Sequence, residues 1–287
     1  MEPRAGFEPA TSALPTQCFD ELLNEFERFC GVDLQLSPVT VKDHSSGICR
    51  VLRRMQKEYQ EVSTKDLRNY LYEFKQDHTP ATVAGVIKTL RVFYRDFLDR
   101  PELVASFKFP NIPYRPKIIP SREDLQKFYN CLDSDLGEAL FLFYASSGLR
   151  KNEVLSLSVK DIDFEKRLII PNCHNGSTKN SYISFFNKEA EKALTTIQPK
   201  EGKLFQISDR QYKKVWKTAQ EETGLNITAQ KLREWFCCEM GSLGISDRYI
   251  DAFCGRTPKS VLARNYTVYN PVRLKETYEK ANLKVLV

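Results

Sequence analysis

Apolar residues recur at three- and four-residue steps over four stretches of the first hundred residues, which predicts four helices with one buried face each. Phe19, Leu22, Leu23, Phe26 and Phe29 mark the first. The second starts near Pro38-Val39-Thr40 and carries Ile48, Val51, Leu52 and Met55; the third, opened by Ser63-Thr64 as cap, carries Leu67, Tyr70, Leu71 and Phe74. The fourth follows Thr79-Pro80 and runs to about Asp99 through Val83, Val86, Ile87, Leu90, Phe93 and Phe97. Short polar turns between them predict a small helical bundle. Ahead of it, residues 1–17 show no period and hold three prolines, so a flexible tail is expected. Residues 108–120 (KFPNIPYRPKIIP) hold four prolines and break every period, predicting a stiff linker between a helical domain at 18–107 and a second domain at 121–287.

The second domain opens with Ser121 as cap and Asp124 at the capping-box position, followed by Leu125, Phe128, Tyr129 and Leu132 on one face. Two short strands are predicted near 167–171 (RLIIP) and 181–185 (SYISF), joined as a hairpin by the turn-rich NCHNGSTKN. After about Lys188 the pattern is helical again, ending in an amphipathic segment with Leu274, Tyr278 and Ala281 and an apolar tail. The expected fold class is mainly α with a small antiparallel β-sheet.

Composition narrows the options. At 41% hydrophobic and 28% charged, the 287-residue chain has enough apolar material for cores, which argues against wholesale disorder. Its apolar runs are too short for a membrane span, and the first residues lack the pattern of a secretory signal, so a cytoplasmic protein with no membrane partner is expected. Eight cysteines without a CxxC pair give no zinc-ribbon spacing and read as reduced, mostly packing residues. The net charge is +6, and residues 120–287 hold 26 basic against 21 acidic side chains, so the second domain is the stronger candidate for handling an anion.

Three constellations carry candidate chemistry. In LFLFYASSGLRKNEVLSLSVKDIDF, Gly148 allows a close backbone approach, and Arg150 projects a donor fork with Glu153 one turn on. A plain surface ion pair between those two is the alternative. In NITAQKLREWFCCEMGSLGIS, Thr228 caps a helix on which Arg233 sits beside Trp235 and Phe236; that arginine either snorkels or pairs with an anion. In CGRTPKSVLARNYTVYNP, Gly255-Arg256 precedes Tyr266 by ten residues, and a surface tyrosine is the alternative there.

In this order and spacing, the constellations resemble the catalytic domain of the tyrosine recombinases, the phage-type DNA integrases. SSGLRKNE is similar to the family's first box, GSTKNSYISF offers a hairpin lysine in Lys179, and AQKLREWF supplies Gln230 and Arg233 where the family has His-x-x-Arg. Phe253-Cys254-Gly255-Arg256 resembles the Leu-Gly-His element, and ARNYT places Tyr266 at the nucleophile. The resemblance covers residues 120–275, and TPATVAGVIKTLRVFYRDFL extends it to the helical core-binding domain. Two usual histidines are replaced, by Gln230, which cannot take up a proton, and by Arg256, which only donates.

The resemblance implies a DNA recombinase that needs no cofactor and no metal. Tyr266 would attack a phosphodiester to leave a 3′-phosphotyrosyl link, Arg150 and Arg233 would clamp the phosphate, and Lys179 would protonate the leaving 5′-oxygen. Gln230 and Arg256 would bond the same phosphate. Duplex DNA is the implied partner, with a homotetramer on DNA and a monomer or dimer when free. Arg210, Lys213, Lys214 and Lys217 make one basic helix stripe, and Lys88, Arg91 and Arg95 a second; each is either a DNA contact or a solvated face. The last helix either docks on its own domain or, as is common in the family, on a neighbouring protomer. A type IB topoisomerase-like enzyme, or a DNA-binding protein that has lost turnover, stays open as an alternative. Residues 6–9, Gly-Phe-Glu-Pro, are encodable by GGN-TTY-GAR-CCN, which includes a string resembling the TΨC arm of a tRNA gene. Such an overlap is expected if the attachment site lies in a tRNA gene, as with the fusellovirus-type archaeal integrases.

Overall fold

The structure is a computed structural model that describes residues 16–171, 183–256 and 269–287. The chain divides into two compact units, one ending at Arg115 and the other beginning at Pro116.

The first unit packs α1 (Thr16–Val32), α2 (Pro38–Met55), α3 (Thr64–Asp77) and α4 (Pro80–Leu90). Helix starts follow local chemistry. Ser37, Ser63 and Thr79 accept backbone N–H bonds as N-caps, and Pro38 and Pro80 occupy the first turn, where a missing N–H costs nothing. α1 begins at Thr16, so residues 16 and 17 are helical rather than tail; a helix needs a first turn before its first packed side chain, Phe19. The core gathers Phe26 and Phe93, whose rings meet edge to face at 5.1 Å, with Ile48, Leu52, Leu67 and Leu90.

The fourth helix departs from the expectation of one α-helix to Asp99. After Leu90 it widens into a π-helix, Arg91–Phe97, followed by a 3₁₀ turn at Pro101–Leu103. Three consecutive residues, Val92, Phe93 and Tyr94, are all buried. An i→i+5 turn holds more residues than an α-turn, so neighbouring side chains fan apart less and a run of three reaches one core. Residues 107–121 contain neither helix nor strand.

The second unit is built around a buried helix. α5 (Arg122–Asn130) starts at the Ser121–Asp124 capping box, and α6 (Asp135–Ser147) is buried on all sides from Ala139 onward. α7 (Lys151–Ser156) leads to a three-stranded antiparallel sheet of β1 (Ile162–Asp163), β2 (Leu168–Ile169) and β3 (Ser184–Phe185). The hairpin pairs Leu168 with Phe185 and Ile169 with Ser184, so its strands are shorter than expected, and β1 is an addition to it. There follow α8 (Lys188–Ile197), α9 (Asp209–Thr223), α10 (Ala229–Ser242), α11 (Asp247–Phe253) and α12 (Pro271–Ala281). α8 and α10 pack along α6.

α12 docks on its own unit, with Leu274, Tyr278 and Ala281 buried, and the segment beyond it buries Leu283 and Val285 in the same core. The Glu189 carboxylate accepts the N–H groups of Val285 and Leu286 at 2.7 and 3.0 Å. Among the described residues, no helix is long and apolar enough to cross a membrane.

Candidate active site

The end of α6 sets the geometry. A helix leaves its last carbonyls without intrahelical partners. Here the Ser146 carbonyl accepts the Tyr278 hydroxyl at 2.8 Å, the Ser147 carbonyl accepts Ser184 Oγ at 2.6 Å, and the Gly148 carbonyl accepts Arg233 Nη1 at 2.6 Å. Gly148 lies in the left-handed region at φ 64°, and a Cβ there would fall 2.4 Å from the Phe236 ring. Only glycine fits on both counts.

Arg150 follows in an extended conformation and caps α7. The Glu153 carboxylate accepts both its backbone N–H, at 2.7 Å, and its Nη1, at 2.6 Å. The expected pair is therefore present, but it braces the guanidinium instead of neutralising a solvated charge, because Arg150 Nη2 also donates to the Gly255 carbonyl at 3.2 Å.

Arg233 enters from α10, which is capped by Thr228. It is only 4% exposed, so it does not snorkel. Its Nη2 donates to the Cys254 carbonyl at 2.7 Å. Consecutive carbonyls after α11, those of Cys254 and Gly255, thus take one bond each from Arg233 and Arg150. Arg233 forms no ion pair with any described carboxylate. Burial is the main force lowering its pKa, and Arg150 adds repulsion. A buried cation whose hydrogen bonds, among the described residues, go to neutral carbonyls favours an incoming anion.

Arg256 borders this pair. It donates through Nη1 to Asp251 at 3.2 Å and through Nη2 to Cys237 Sγ at 3.4 Å. The cysteines are expected mostly to pack, yet the Cys237 thiol is held below its usual range by its hydrogen bond with Cys254, aided by Arg256 and Arg233. The available signal was helical spacing, since Cys237 lies four residues after Arg233. Gln230 is not drawn into the cluster. Its Nε2 donates to Glu234 Oε1 at 3.1 Å, and the same oxygen pairs with Lys117. Lys179, Tyr266 and His174 lie outside the described residues. Of the other tyrosines near the end of the chain, Tyr278 is in the core with its phenol pKa pushed up by burial.

The two basic stripes differ. Arg210, Lys213, Lys214 and Lys217 are exposed on α9, opposite the buried Tyr212 and Trp216, and Lys217 pairs with Glu221 at 3.4 Å. Lys88 is exposed, but Arg91 donates to the Phe107 carbonyl and lies 4.4 Å over the Phe109 ring, while Arg95 pairs with Asp96 at 2.6 Å. The second stripe is thus not three free cations.

Comparison with known proteins gives the family and the fold. Residues 123–272 match the model of the phage integrase family, and residues 22–102 match that of the phage integrase N-terminal SAM-like domain. The chain belongs to the phage integrase family, the tyrosine-type site-specific DNA recombinases. Tyrosine recombinase XerA of Thermococcus onnurineus (strain NA1) is 24% identical over 282 residues, covering 93% of this chain and 97% of its own. A lambda integrase tetramer bound to a Holliday junction has the same fold, with a TM-score of 0.66 at 14% identity over 91% of this chain and 85% of that one. The Tn1549 transposon integrase in complex with circular intermediate DNA gives 0.62 at 17% identity, over 89% and 98%.

Proposed function

We propose that this recombinase cuts and rejoins duplex DNA with Tyr266 as nucleophile and the Arg150–Arg233 pair as the phosphate seat. The observation that carries the reading is Arg233, buried at 4% exposure and bonded to the Gly148 and Cys254 carbonyls, with no carboxylate partner among the described residues. In the displacement, the Tyr266 oxygen bonds to phosphorus as the 5′-oxygen leaves, and charge grows on the nonbridging oxygens between the two guanidinium groups. Lys179 supplies the proton to the 5′-oxygen. The phosphotyrosyl bond keeps the energy of the broken one, so a different 5′-hydroxyl can reverse the step. Arg256, beside Cys237, and Gln230, at the start of α10, complete the donor set once DNA is bound.

Residues 18–107 then act as the core-binding domain, 108–120 as linker and 121–287 as catalytic domain. Arg210, Lys213, Lys214 and Lys217 contact DNA phosphates, with Lys88, Arg91 and Arg95 on the other domain. The working assembly on DNA is a homotetramer, in the cytoplasm. The target is a tRNA gene overlapping the codons of residues 6–9, in the manner of a mobile or viral element of the fusellovirus type.

A suicide DNA substrate that traps the covalent adduct tests the chemistry. Wild type forms adduct and exchanges strands. Tyr266→Phe binds DNA normally and forms none, and Arg150→Ala and Arg233→Ala each lose at least about a hundredfold in cleavage. Adduct with relaxation but no exchange would indicate a topoisomerase, and binding without adduct in wild type a protein that has lost turnover.

A further inference from the structure

Two thiols stand behind the arginines. Cys237 is half-buried on α10, Cys254 is fully buried just after α11, and their sulfurs are 3.4 Å apart. Cys237 Sγ accepts from Arg256 Nη2, and the backbone carbonyl of Cys254 accepts from Arg233 Nη2. We propose that Cys237 and Cys254 are a modification site for hydroperoxides, closing to a disulfide that disables the phosphate seat; the effect on activity rests on the recombinase reading, the chemistry of the pair does not.

The Cys237 thiolate attacks the peroxide, breaking the O–O bond, and becomes the sulfenic acid while the second oxygen departs as alkoxide or hydroxide and takes a proton. The Cys254 sulfur then attacks the sulfenic sulfur, the S–S bond forms, and water leaves carrying the Cys254 proton. Two electrons pass from the two sulfurs to the peroxide. The arrangement suits each partner to its part. Cys237 is the less buried of the two, and its hydrogen bond with Cys254, with Arg256 and Arg233 nearby, favours its thiolate. Cys254 is enclosed, its thiol pushed up by the bond to Cys237 and by burial, so it resolves and does not initiate. The facing charged groups are Arg233 on α10, Arg256 and Asp251 at α11, and Arg150 with Glu153 at α7.

Closing the bond draws the sulfurs together by roughly 1.4 Å, to the ordinary disulfide length of about 2 Å. It also replaces the thiolate acceptor of Arg256 with a neutral sulfur. Since the Cys254 carbonyl seats Arg233, the strain falls on the group that must match the transition state. A misplacement of about 1 Å in such a site costs on the order of a hundredfold in rate.

The test treats full-length protein with hydrogen peroxide, blocks free thiols and maps disulfides by peptide mass, with adduct formation on a suicide substrate read in parallel. The expected result is a Cys237–Cys254 linked peptide, an approximately hundredfold loss of cleavage, and recovery with dithiothreitol. Cys238→Ser, at the exposed neighbour, should respond like wild type. Cys254→Ala should stop at a sulfenic acid on Cys237 that dimedone captures. Absence of the linked peptide, a linkage through Cys238, or linked protein that cleaves as fast as reduced protein would each overturn the proposal. If reduced protein forms no adduct, it is the recombinase reading that has failed, and the peptide map still decides the thiol pair.

Discussion

Single residues decide whether the arginines meet. Gly148 turns the chain out of α6, accepts Arg233 through its carbonyl, and leaves room for the Phe236 ring. Gly148→Ala is therefore expected to cost at least about 2 kcal/mol, from the left-handed backbone and the ring overlap together. Cleavage should fall further than the thermal melt explains; an unshifted melting temperature would show that the ring moves aside freely. Gln230 offers a gentler test. Its amide is engaged by Glu234, a contact an imidazole N–H can replace while adding a proton acceptor. Gln230→His should keep or raise the cleavage rate on a suicide substrate, and a dead variant would give the amide a positional role of its own. Arg150, Arg233 and Arg256 were legible because motif spacing survives in one dimension. Their supports were not. The Cys254 and Gly255 carbonyls come from more than a hundred residues after Arg150, or across the packing of α11 on α10, and no local pattern encodes that.

Helices were the most legible elements, since caps and apolar periods are both local. Ser121 with Asp124 marks a start that the structure reproduces as a full capping box, and at the Ser63 cap the structure adds Asp66 as the second half of another. Asp66 has a pH consequence. Hydrogen bonds from Lys57 and from the Ser63 side chain and backbone hold its carboxyl well below the usual range. A depressed folded pKa means its contribution is complete above the unfolded value, near 4, and is lost as pH falls through the folded one. Asp66→Asn should lower stability by about 1 kcal/mol or less near neutrality and match wild type at strongly acid pH, as thermal melts across pH will show. A constant gap at every pH would assign the effect to shape instead of charge. The elements that escaped are those where tertiary packing overrides the local period. The π-turn at Arg91–Phe97 exists because three adjacent side chains share one core, and β1 is two residues long, too short to alternate.

At the level of the whole chain, the two compact units divide at Arg115, inside the proline-rich stretch. Each has its own core. Tyr114 is 90% exposed in a segment without helix or strand. Limited chymotrypsin should therefore cut first after Tyr114 and leave two fragments of retained helicity by circular dichroism; early cuts inside the helices would contradict two self-contained cores. The docking of the last helix was left open by sequence, because an amphipathic face states that something covers it and not what.

The burial of Leu283 and Val285 has a further consequence, in time. During synthesis the first unit has its whole core once Arg115 is made, whereas the second lacks two core side chains until Val285 is added. At roughly 5–20 residues per second, that interval is on the order of ten seconds or more. Through it, the nascent chain carries a finished helical unit while the second core, which surrounds Arg233, is still incomplete. The core behind the arginine cluster is thus completed last, so a chain that stalls before Val285 lacks part of the packing that holds those arginines.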